Sequence, residues 1–118
     1  MKESLSECPI EDAMRVLGGR WRSLVVYYLK DGPKRFSDLR RDMPKISQRM
    51  LTLDLRELEA IGVVSRTVYP EVPPRVEYEL TADGRKLMPV IDALGDWWVG
   101  VVKRRRSAQG PARAEVAA

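Results

Sequence analysis

Gln48, Arg49, Thr52 and Arg56 carry the most specific chemistry in this sequence. At about 100° per residue they share one side of a helix, while Met50, Leu51, Leu55, Leu58 and Ile61 share the other. An arginine can fork onto the O6 and N7 of guanine, a glutamine can pair with adenine, and a threonine methyl can pack on thymine. Placed in the first turn, Ser47, Gln48 and Arg49 would enter a DNA major groove deepest. The spacing predicts a helix over 47–61, capped by Ser47, with an anchoring side and a reading side. The same polar side is also what an ordinary solvated helix face looks like, so the surrounding elements must decide. Asp54 falls on the apolar side, and nothing in the sequence explains it.

A second set of residues suits phosphate rather than bases. Lys34, Arg35, Ser37, Arg40, Lys45 and Arg75 offer charge or hydrogen bonds that would position a protein on a duplex without reading it. Pro74 would hold Arg75 at the end of a stiff Pro-rich connection. Arg66 reads either as a contact of this kind or as the cross-strand partner of Glu77 or Glu79. The run Lys103-Arg104-Arg105-Arg106 likewise has two readings, DNA contact or complement to a helix C-terminus. The chain has 21 Lys and Arg against 17 Asp and Glu, a formal net charge of +4. Its isoelectric point near 9.5 suits a polyanionic partner.

Other chemistry is poorly provided for. There is no histidine and one cysteine, Cys8. Histidine-based nucleophile triads, imidazole metal sites and an intramolecular disulfide are therefore excluded. No catalytic residue, metal site or cofactor is expected, and an enzyme would have to work from a pocket the sequence does not reveal. The first residues, MKESLSECPIED, lack an apolar leader, and no apolar run approaches the roughly 18 residues of a membrane span. The expectation is a cytoplasmic protein without a membrane partner.

The elements that must hold these side chains can be read in order. Ile10, Ala13, Met14 and Leu17 recur at helical spacing until Gly18-Gly19, which predicts a short first helix. A second is expected over 21–30, closed by Gly32-Pro33. Ser37 is expected to cap a third, which Pro44 ends, and Pro44-Lys45-Ile46 forms a turn before the helix that carries Gln48. Gly62 sits where chains leave a helix through a left-handed residue. Two antiparallel strands are expected over 63–69 and 76–80, joined by the wing at 70–75. Thr81 is expected to cap a last long helix, kinked at Pro89, in which Leu87, Ile91, Leu94, Trp97 and Trp98 form an apolar stripe.

This order predicts an α+β, mainly α fold: a winged helix-turn-helix with a long C-terminal dimerisation helix. One domain is expected over 1–106, with 107–118 a disordered tail. The last stripe exposes more apolar surface than so small a domain would cover, so a second copy is expected there, although a helix folding back on its own domain would cover it equally.

With these residues in place, the chain resembles the HxlR family of bacterial winged-helix regulators, relatives of the MarR class. The resemblance rests on Cys8-Pro9-Ile10, LGGRWRSLVVYYL at 17–29, RFSDLRR at 35–41, ISQRMLTLDLRELEAIGVVSRTVYPEVPPRVEYELTADGR at 46–85 and LMPVIDALGDWW at 87–98. It implies a homodimer joined through its first and last helices, with Ile10 and Met14 contributing from the first, acting on palindromic operators in double-stranded DNA. It also implies groove reading by Gln48, Arg49 and Thr52, and a wing that carries Arg75 to the minor groove or backbone. Several members sense oxidants or electrophiles through a cysteine near the N-terminus, and Cys8 stands at that place as a candidate redox switch. A helix start favours thiolate, whereas Glu3, Glu7, Glu11 and Asp12 oppose it, so an inert cysteine is the competing reading.

Two further readings stand beside this one. A winged helix can serve protein contact alone. Trp21, Tyr27, Tyr28, Trp97 and Trp98 could line a pocket for a small-molecule effector, although aromatics at helical spacing more often build a core.

Overall fold

The computed structural model describes residues 7–109. Its elements are α1 (Pro9–Leu17), α2 (Arg22–Tyr28), α3 (Phe36–Asp42), α4 (Gln48–Ala60), β1 (Val64–Tyr69), β2 (Arg75–Leu80), α5 (Ala82–Lys86) and α6 (Met88–Gln109). The order is that of a winged helix-turn-helix, mainly helical with one small antiparallel sheet. The chain divides into two compact units, Met1–Met88 and Pro89–Ala118.

The core of the first unit lies where α2, α3 and α4 meet the sheet. Val25, Val26 and Leu29 come from α2 and its end, Leu39 and Met43 from α3, and Leu51, Leu55 and Leu58 from α4. Ile46, Val63, Val64 and Leu80 close it from the turn and the strands. These are the 3.6-residue and alternating positions that the pattern marks as apolar, and burying one such side chain contributes roughly 1.5–3 kcal/mol.

Local chemistry sets the ends of α4. The Ser47 hydroxyl accepts the backbone N–H of Met50 at 3.0 Å, satisfying a donor that the first turn leaves unpaired. Gly62 ends the helix with φ of 88°, a left-handed conformation that glycine adopts without penalty. Thr81 caps α5 by accepting the Gly84 N–H at 3.1 Å. At Gly84 a Cβ would lie 2.2 Å from the carbonyl oxygen of Val63, so only glycine lets α5 close on the strand entry.

Three expectations about the elements need correction. Ser37 is not the cap of α3: the extended residue is Arg35, whose N–H is accepted by Asp38 Oδ2 at 3.1 Å, and Ser37 lies inside the first turn. The last helix is not one kinked rod. α5 stops at Lys86, and Pro89 falls in the first turn of α6, where its missing N–H costs nothing. Leu87 consequently belongs to the junction rather than to the apolar stripe. Finally, α6 continues through Gln109, past the expected boundary at 106, while 110–118 lie outside the described residues.

The sheet also gains a short third partner. Lys34 and Tyr78 exchange two backbone hydrogen bonds, Lys34 N–H to Tyr78 O at 2.9 Å and Tyr78 N–H to Lys34 O at 2.8 Å. This ties the segment before α3 to β2. In the β1–β2 ladder Arg66 stands opposite Tyr78 and Thr67 opposite Glu77. Glu77 and Glu79, the two carboxylates considered for Arg66, bond Arg75 and Arg85 instead.

Candidate nucleic-acid interface

The site begins with the turn that aims α4. Met43 and Ile46 are buried on either side of Pro44 and Lys45, so the turn is anchored by its apolar ends and Lys45 is left exposed. From there α4 presents Ser47, Gln48, Arg49 and Arg56 to solvent, with Thr52 half-buried between them. Gln48, Arg49, Thr52, Leu53 and Arg56 line one open concavity of about 490 Å³. The Thr52 hydroxyl donates to the carbonyl of Gln48 at 2.9 Å, which fixes that side chain on the helix. The face expected to read bases is therefore continuous, and it is backed by Leu51, Leu55 and Leu58 in the core.

Asp54 is the one buried charged residue in the core of the described residues, and it is explained by a partner that the sequence did not suggest. Arg22, at the start of α2, donates from Nε to Asp54 Oδ1 at 3.1 Å. Its Nη1 donates to the carbonyl of Val16 at 3.0 Å, close to the end of α1. No local spacing rule could have paired residues so far apart in the chain. The one available signal was a carboxylate on an apolar helix face, since such a charge requires a buried partner.

The expected phosphate contacts divide into two kinds. Arg35, Ser37, Arg40 and Lys45 are exposed on α3 and the turns that flank it. Lys34 is instead ion-paired with Asp42 and lies 5.7 Å from the Tyr28 ring centroid. Arg75 is held more firmly. It donates from Nη2 to Glu71 Oε2 at 2.9 Å and from Nη1 to Glu77 Oε2 at 2.6 Å, and it stacks over the Tyr69 ring at 3.8 Å. Beside Arg75, hydrogen-bonded first and then by charge, the Glu71 carboxyl titrates below its ordinary range, while the two carboxylates push the Arg75 guanidinium up. Pro74 is exposed next to this clasp, at the wing tip with Val72.

The residues expected at a subunit interface are distributed over both units. On α1, Ile10 is 72% exposed and Met14 55%, and none of the nine residues of that helix is buried. On α6, Leu94, Trp97 and Trp98 are exposed with Val90 and Val99 and Ile91 is half-buried, as is Leu87 at the junction before that helix. The Trp97 and Trp98 rings lie 6.1 Å apart. Cys8 is exposed at the N-cap position of α1, where its carbonyl accepts the Glu11 N–H at 3.0 Å. Among the described residues no group of three or more His, Cys, Asp or Glu is placed to hold a metal, and no helix is long and apolar enough to cross a membrane.

Known proteins share this arrangement. A family described as HxlR-like helix-turn-helix matches residues 16–106. An HTH-type transcriptional regulator of Methanothermobacter thermautotrophicus is 57% identical over 90 residues, covering 76% of this chain and 69% of its own. Among solved structures, the redox regulator HypR in its oxidised form is 52% identical with a TM-score of 0.73, over 76% of this chain and 93% of that one. The reduced form of the transcriptional regulator YodB of Bacillus subtilis is 43% identical with a TM-score of 0.70, over 78% and 91%.

Proposed function

The chain belongs to the HxlR-like helix-turn-helix family of transcriptional regulators, and from that premise we propose that two copies act together on a dyad-symmetric operator, with α4 of each in a major groove. A DNA-binding regulator needs no catalytic residue, and none is assigned here. The observation that carries the proposal is the two-sided build of α4. Its inner side chains are locked in the core, and Gln48, Arg49, Thr52 and Arg56 line one open face outside it. A helix held this rigidly presents its donors in a fixed frame, which base readout requires.

The exposed cations Arg35, Arg40 and Lys45 surround that face and suit phosphates, with Ser37 adding a hydroxyl. The apolar stripe of α6 and, separately, Ile10 and Met14 of α1 are the side chains assigned to homodimer contacts. Two recognition helices related by a dyad would sit one DNA turn apart, about 34 Å. Such a protein works in the cytoplasm, where its operator is.

The signal is assigned to Cys8 or to a small-molecule effector. HypR is a redox regulator, solved in oxidised and reduced forms, and YodB has been solved after diamide treatment and with a quinone bound. Cys8 is exposed at the start of α1, so its modification would act on the helix that carries Ile10 and Met14. Cys8→Ser is expected to abolish any response of DNA binding to diamide or quinone; a response that survives would move the sensor elsewhere.

Site selection from random duplex DNA tests the core of the proposal. Wild type is expected to enrich an inverted repeat, and Gln48→Ala/Arg49→Ala to lose it, each bidentate contact being worth about 1–3 kcal/mol of discrimination. A lack of enrichment, together with weak salt dependence on random duplex, would favour a protein-contact module instead.

A further inference from the structure

Arg22 bridges the end of α1 and the inner face of α4, and we propose that it positions the reading helix and so sets how sharply α4 discriminates bases. The inference rests on the assignment of base reading to α4. It starts from Asp54, a buried carboxylate in the middle of that helix, whose position the core alone does not account for.

Two acceptors converge on one guanidinium. Nε reaches Asp54 Oδ1 at 3.1 Å and Nη1 reaches the Val16 carbonyl at 3.0 Å. Val16 lies in the last turn of α1, where carbonyls have no partner within the helix, so Arg22 completes that helix end while holding α4. The planar fork fixes both directions at once, which a flexible ammonium does not. Only about a fifth of the Arg22 side chain and less than a tenth of the Asp54 side chain are exposed.

The geometry makes a rotational stop for α4. Asp54 lies on the side of the helix opposite Gln48, Thr52 and Arg56, so a roll of the helix about its axis moves the Asp54 carboxylate out of line with Arg22. Leu51, Leu55 and Leu58 also resist such a roll, but apolar contacts are non-directional and tolerate small rotations. A charged, hydrogen-bonded pair is directional and costly to break inside the protein. Buried pairs of this kind often contribute little net stability compared with apolar replacements, which is consistent with a role in orientation.

The test replaces the pair without leaving a buried charge. Arg22→Met/Asp54→Leu keeps roughly the shape of the two side chains and exchanges the charged pair for apolar groups. It is expected to fold with thermal unfolding near that of wild type, yet to lose about tenfold in the affinity ratio of selected operator over scrambled duplex, the size of one mismatched base pair. Its salt dependence on random duplex is expected to match wild type, because the phosphate contacts are untouched. Arg22→Lys keeps the charge but not the fork, and is expected to fold and to lose part of the ratio. That variant carries the test should the double variant not fold. An unchanged ratio in a folded variant overturns the role of Arg22. Gln48→Ala/Arg49→Ala is measured beside them: if it also leaves the ratio unchanged, base reading by α4 fails, and the role of Arg22 with it.

Discussion

Helix α4 and the wing both bring arginine to the surface of the first unit, and they hold it in opposite ways. On α4, Arg49 and Arg56 stand exposed on a helix whose inner face is locked by Leu51, Leu55 and Leu58. On the wing, Arg75 is only 26% exposed and is clasped by Glu71, Glu77 and the Tyr69 ring. In the first case the scaffold is rigid and the donors are available. In the second the donors are spent on building the scaffold. An arginine near DNA is thus a reader or a brace according to what already occupies its fork, and charge counting cannot tell the two apart.

The comparison breaks most severely if the base beneath α4 is removed. Leu58→Ala deletes a side chain with no exposure at the centre of the core, and should cost about 2–5 kcal/mol through lost burial and the cavity left behind. Val72→Ala, at the fully exposed wing tip, should change stability by less than about 0.5 kcal/mol. Urea unfolding of both variants decides it through the midpoint at constant slope. Similar losses would mean that the wing carries folding energy that its exposure does not indicate.

The same contrast explains what the sequence disclosed. α4 was legible because everything that defines it is local: a period of 3.6, a Ser47 cap and a Gly62 exit. The two-sided face and its residues followed from that period. Ser37 reads as a cap because serine is a common one, yet the bond that starts α3 runs from the Arg35 N–H to Asp38, a signal equally local but shared by many acidic residues outside helix starts. Pro89 was ambiguous in principle, since a proline either kinks a helix or opens one. The strand partner at Lys34 is a single residue, too short for any alternation to show. The Arg22–Asp54 pair spans 32 positions, and only tertiary structure can bring such residues together. The engagement of Arg75 is also local, with Glu71 four residues before it and Glu77 two after, but a cation that ends a Pro-rich connection suits a phosphate equally well.

The smallest expected effect sharpens the comparison by opening the clasp. Glu71→Gln removes one of the two carboxylates on Arg75 and should free part of its fork for phosphate. Affinity for random duplex is expected to rise a few-fold, and the log–log salt slope to steepen by at most about 0.9, the equivalent of one phosphate contact. Asp83→Asn on α5 makes the same change in net charge away from the wing, so equal effects in the two variants would show that the clasp does not compete with phosphate. Acid should open the same clasp in the wild type. The Glu71 carboxyl is held below its ordinary range, first by the hydrogen bond from Arg75, so the interaction is fully present above that range and is lost as pH falls through the lowered value. The Arg75 Nε–H donates to Glu71 Oε2 at 3.0 Å, so its resonance should stay constant through neutral and mildly acidic pH and move only below the usual glutamate range. A shift centred within that range would mean that the clasp is loose in solution, and that Arg75 is as available to a phosphate as the arginines of α4.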